Sequence, residues 1–152
     1  MNKTMIAVAV VSILAAPMAV AHADDPGSYT AKLDGQIIGQ GTNVKCSTFS
    51  SYGAKGGPGV KITVGRGTET SFWGETNIGN DGPEVYSVSL NPLSGENSTS
   101  PGYVRWAAGP DNDESQATVV KSDNTYRITG TVAPVYQPGK SPLPFEFDVT
   151  CP

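Results

Sequence analysis

Residues 145–151 alternate without a break. Phe145, Phe147, Val149 and Cys151 fall on one parity, and Glu146, Asp148 and Thr150 on the other. A period of two sends each set to one face of an extended strand, whereas a helix would scatter both sets around its circumference. This segment therefore predicts a half-buried strand that needs a second apolar surface to cover it. The same period recurs in shorter runs. Tyr29, Ala31 and Leu33 form one, Val60, Ile62 and Val64 a second, and Tyr86, Val88 and Leu90 a third. Tyr126, Ile128 and Val132 share a face with Gly130, and Val44, Cys46 and Thr48 face one way in a further run.

Turn chemistry separates these runs. The chain holds 18 glycines and 12 prolines, too many for long helices. Asp34-Gly35 is a type I′ hairpin signal, followed by Gln36-Ile37-Ile38 and then by interruptions at Gly39 and Gly41. Residues 117–121 are expected to pair with 126–132 across Ser122-Asp123-Asn124. Residues 50–59 read as a flexible loop, and 134–144, with four prolines, as a long stiff one. Residues 103–108 read as a short strand. Residues 65–82 carry Phe72-Trp73 and Ile78 in polar surroundings without a readable period. About eight short strands and no convincing helix predict an all-β fold, an antiparallel β-sandwich or partly open barrel.

The N-terminus predicts export. Lys3 sits in a short basic region, residues 5–20 are almost wholly apolar, and Ala21-His22-Ala23 is a small-x-small cleavage site. The run is too short to span a bilayer, and no later stretch is long enough. Residues 1–23 are expected to be a cleaved signal peptide and 24–152 a single β domain. Cleavage removes His22, the one histidine, and all three methionines. It leaves nine basic residues against fourteen acidic ones, the basic residues scattered singly from Lys32 to Lys140. Nucleic acid and anionic lipid reward clustered Lys and Arg, so neither is an expected partner. In an oxidising compartment Cys46 and Cys151 are expected to form a disulfide. Closing a loop of about 100 residues is worth about 4–5 kcal/mol in the chain-entropy account. No CxxC spacing and no remaining histidine point to redox or metal chemistry. Asp24, not a cysteine, follows the cleavage site, so no N-terminal lipid anchor is expected.

Catalytic parts are scarce. Serines and threonines lack a histidine to activate them. Glu146 and Asp148 lie on one outward face with the spacing of a carboxylate pair, yet outward carboxylates are mostly the wet side of a strand. Asp111, Asp113 and Glu114 share a loop, but the glycine and distal glutamate of a helix-loop-helix calcium site are missing, and a solvated turn is expected. Asn97-Ser98-Thr99 has the pattern of a glycosylation site and reads as an ordinary loop. No metal and no cofactor are expected. Trp73, Trp106, Tyr103 and Tyr136 are candidates for a ligand or partner surface: Trp73 reads as lying in a poorly patterned loop and Tyr136 in the proline-rich one, and aromatics there could frame such a site. The alternative is that they cap the ends of the core.

Four stretches carry a resemblance: Val44-Lys45-Cys46-Ser47-Thr48, Pro83-Glu84-Val85-Tyr86-Ser87-Val88, the segment from Lys121 to Thr131, and Phe145-Glu146-Phe147-Asp148-Val149-Thr150-Cys151. The chain resembles the mycobacterial nineteen-kilodalton lipoprotein antigens, from about Leu33 onward and with insertions in the middle loops. The C-terminal stretch is the most specific part. The resemblance implies an exported β domain seen by host immune receptors, with adhesin roles and no enzymatic activity. It also carries the cysteine pair over onto Cys46 and Cys151. The chain departs from the pattern in lacking the lipidated cysteine and the Ser/Thr-rich tether. It is therefore expected to be a non-lipidated variant, secreted or loosely envelope-associated. The expected function is non-enzymatic, presenting loops such as 50–59 and 134–144 to a host receptor or an envelope component. The alternative is a carrier holding a lipid or other apolar small molecule between its sheets.

Overall fold

The computed structural model describes residues 26–53, 56–65, 72–80, 84–93, 98, 105–109, 116–135, 137 and 139–152. The expected signal peptide lies outside this range. All the regular structure among the described residues is antiparallel β, in ten strands. They are β1 (Ser28–Leu33), β2 (Gln36–Gly41), β3 (Val44–Phe49), β4 (Gly59–Val64), β5 (Phe72–Gly79), β6 (Val85–Pro92), β7 (Trp106–Ala108), β8 (Ala117–Ser122), β9 (Thr125–Pro134) and β10 (Leu143–Thr150). The all-β expectation is borne out, with ten strands where the sequence showed about eight. Among the described residues no helix is long and apolar enough to cross a membrane.

The strands run β2-β1-β10-β9-β7-β6-β5-β4-β3, with β8 also on β9. The ten-residue β9 is the pivot. Its first half pairs with β8, from Thr125 opposite Ser122 to Gly130 opposite Ala117. Its end pairs with β7, at Ala133 and Pro134. One sheet is thus β2-β1-β10-β9-β8, the other β9-β7-β6-β5-β4-β3, and the pair forms a nearly closed, barrel-like sandwich. The handover falls at Gly130. The Thr131 amide donates to the Gln116 carbonyl at 2.8 Å, and a Cβ on residue 130 would collide with that same oxygen. Only glycine lets β8 leave β9 so tightly.

The alternating runs become the core. Ala31, Leu33, Ile62, Val64, Val88, Leu90, Ile128 and Phe147 have no solvent exposure, and Phe145 and Val149 almost none. Phe72 of β5 reaches across the sandwich. Its ring centroid lies 5.8 Å from that of Tyr29 on β1 and 6.5 Å from that of Phe147 on β10, the latter contact edge-on. Asp34 and Gly35 both take positive φ, 49° and 75°, as a type I′ turn requires. Cys46 and Cys151 are joined, with Cα atoms 5.9 Å apart at a sequence separation of 105. The bridge ties β3, the far edge of the second sheet, to the end of β10 in the middle of the first.

Residues 65–82 gave no period, yet they contain β5. Its inward row is Phe72, Gly74, Thr76 and Ile78; its outward row is Trp73, Glu75, Asn77 and Gly79. Small and polar residues face in while an aromatic faces out, so hydropathy does not alternate. Thr76 is wholly buried, and its hydroxyl donates to the Ser87 carbonyl at 2.9 Å. That bond sits beside an irregularity between Asn77 and Ile78, where Ile78 pairs with Val85 and Tyr86 is the extra residue.

Candidate functional site

The aromatic candidates do not converge. Trp106 lies in β7 with 1% exposure, facing the core. Lys140, from the stretch between β9 and β10, places its ammonium 5.9 Å from the centre of the Trp106 ring. Trp73 lies within strand β5 rather than in a loop, half-buried on the opposite face of the sheet. Tyr103 and Tyr136 fall outside the described residues, as do Asp111, Asp113, Glu114, Asn97 and Thr99. Among the described residues no three His, Cys, Asp or Glu side chains gather as a metal site would require.

The two outer faces carry different chemistry. On the first sheet, register pairs opposite charges directly across strands. Lys32 meets Glu146 at 3.5 Å, and Arg127 holds Asp148 through two hydrogen bonds of 2.7 and 3.3 Å. The hydrogen bond to Asp148, and then its charge, raise the Arg127 guanidinium above its ordinary pKa. Both members of the carboxylate pair are therefore tied to a cation on a neighbouring strand. On the second sheet, Asn77, Ser89 and Asn91 point outward yet are buried. The Asn77 amide donates to the Ser87 hydroxyl at 2.9 Å, the Arg105 guanidinium to Ser89 at 2.7 Å, and the Asn91 amide to the Trp73 carbonyl at 3.3 Å. Each of these buried side chains makes a hydrogen bond, to a hydroxyl, a guanidinium or a backbone carbonyl, although Arg105 Nε in the same network is buried with no partner among the described residues.

The β3–β4 connection is held at its tip. Tyr52 and Gly56 exchange backbone hydrogen bonds of 3.2 and 2.8 Å. The Gly57 amide donates to the Tyr86 hydroxyl at 3.0 Å. Tyr52 and Tyr86 stack nearly parallel with centroids 5.0 Å apart, and Phe49 leans on both at 6.0 and 6.3 Å. Part of the segment expected to be a free loop is thus pinned to β6 by a half-buried aromatic cluster.

A cleft of about 220 Å³ opens between the sheets, lined by Val60, Ile78, Gly79 and Asn80 on one side and by Val119, Lys121 and Tyr126 on the other. On β8 the inward row of Ala117 and Val119 ends at the same parity in Lys121, where continued alternation would place an apolar side chain. The Lys121 ammonium instead lies 5.4 Å from the centre of the Tyr126 ring, its cross-strand partner. A more open groove of about 330 Å³, lined by Glu84, Val85, Tyr86, Gly109 and the start of β8, runs between β6 and β8. Sequence reasoning missed the cleft. Its one legible signal was a lysine at the parity where strand alternation calls for an apolar residue.

The family model described as Mycobacterium 19 kDa lipoprotein antigen matches residues 22–151. The chain belongs to that family. No curated protein matches it.

Proposed function

From membership of the mycobacterial lipoprotein antigen family, we propose that this chain is an exported, non-enzymatic envelope antigen that presents connecting loops to a host receptor or envelope component. Export by a cleaved signal peptide, without a lipid anchor, would leave it secreted or loosely held at the envelope. The observation that carries the reading is a family match over 22–151, including both cysteines. The presenting segments are 50–59 and 134–144, with Trp73 as a further surface aromatic. Tyr103 and Tyr136 belong to the same proposal. The disulfide and the Tyr52–Tyr86 stack support it, because preorganised loops lose less entropy on binding. Labelled protein is expected to bind host cells saturably, and replacing either segment by a Gly/Ser stretch of equal length should weaken that binding. Binding that does not saturate, or that ignores both replacements, overturns the proposal. Turnover in a broad esterase and glycosidase screen would overturn its non-enzymatic part.

A second reading has one observation in its favour. The inter-sheet cleft has apolar walls from Val60, Ile78, Val119 and Tyr126, as a carrier of an apolar small molecule needs. Native mass spectrometry of protein purified from its own host should then show a co-purifying mass. A bare polypeptide mass would count against it.

A further inference from the structure

Resting on the carrier reading, we propose that the inter-sheet cleft takes the alkyl chain of a single-chain anionic amphiphile, with its head group at Lys121. Size sets the first limit. Pockets that enclose drug-sized ligands run to about 300–1,000 Å³, so a cleft of about 220 Å³ holds one short chain and not a whole diacyl lipid. The walls set the second. Ile78, Val119 and Tyr126 are each more than nine-tenths buried, and Val60 is half-buried, so the floor is apolar and water gains little there.

The mouth sets the sign of the charge. Lys121 stands on the inward row of β8 and joins the lining, while its neighbour Val120 faces solvent. Among the described residues its ammonium meets no carboxylate, only the Tyr126 ring face. Asn80 lines the opposite wall and adds no charge. A single cation at the edge of an apolar floor matches a carboxylate or phosphate carrying one alkyl tail. The neighbouring groove has the opposite character, with Glu84 on its lining, and does not compete for an anion.

The test is a titration of isotope-labelled protein with octanoate, octanol and octyltrimethylammonium, read by amide chemical shifts. Octanoate is expected to give saturable shifts at Val119, Lys121 and Tyr126, and to bind more tightly than the other two. Lys121→Gln should weaken octanoate about tenfold, the loss of one charge-assisted contact, and leave octanol unchanged. Lys121 is exposed, so the variant folds. Octanol binding as tightly as octanoate, or octanoate binding unmoved by Lys121→Gln, overturns the anionic assignment and leaves the carrier reading standing. No saturable shift at these residues with any probe overturns both.

Discussion

The two sheets of this molecule solve the same problem with opposite materials. In the first, β1, β9 and β10 place apolar side chains inward, and outward charges paired across the strands. In the second, β5 turns a glycine and a threonine inward, and buries amides and hydroxyls on its outer side. The first is held by area removed from water. The second depends also on buried hydrogen bonds, since stripping a buried group of its partner costs about 1–3 kcal/mol. Regular alternation and polar satisfaction are therefore two routes to one sandwich, and they should fail differently.

Removing the disulfide should give the largest effect. Replacing Cys46 and Cys151 by alanine is expected to cost about 4–5 kcal/mol, read as a fall in the denaturant midpoint. Loss of hydrogen-exchange protection should concentrate in β3 and β4, because among the described residues β3 pairs with β4 alone while β10 is paired on both sides. Equal loss in β9 and β10 would mean that the two sheets open as one unit, and the contrast would dissolve. Gly39→Ala comes next. A Cβ at residue 39 would overlap the Phe72 ring, so β2 should lift from β5 at about 1–3 kcal/mol, measured by thermal unfolding. Thr76→Val keeps the shape but strips the hydroxyl from the Ser87 carbonyl, and about 1–2 kcal/mol should follow. A neutral outcome would show that the second sheet does not need its buried polar bonds. The smallest effect belongs to the first sheet's wet face. A double-mutant cycle on Lys32 and Glu146 should return a coupling below about 1 kcal/mol, shrinking further in salt.

That ordering mirrors what the sequence disclosed. Phe145, Phe147, Val149 and Cys151 announced β10, and both cysteines announced their partner, because a strand with one wet face writes its period into hydropathy. Asp34-Gly35 announced its turn because only a few residue types accept two positive φ values. β5 stayed silent for the reverse reason. Its inward Gly74 accommodates the Phe72 ring, and its inward Thr76 is satisfied by a backbone carbonyl, a partner that no local pattern reveals. Trp73 accordingly reads as a loop aromatic although it lies within β5. Gly39 read as an interruption although it lies within β2, since the crowding that demands glycine comes from Phe72, far away in the chain. The cleft was hidden likewise. Lys121 ends a strand in the sequence, and only the fold sets Val60 and Ile78 on the opposite wall of its cleft.

The sulfur bridge also decides what an antibody can see. At that end of the molecule Gly27 lies close against Val44 and Pro152, and the Cys151 amide donates to the Asn124 carbonyl, so one small area is stitched from four distant stretches of polypeptide. An epitope there is discontinuous by construction. Sera raised against the folded protein should lose that part of their reactivity on a reducing blot, and linear peptides covering the same residues should not restore it.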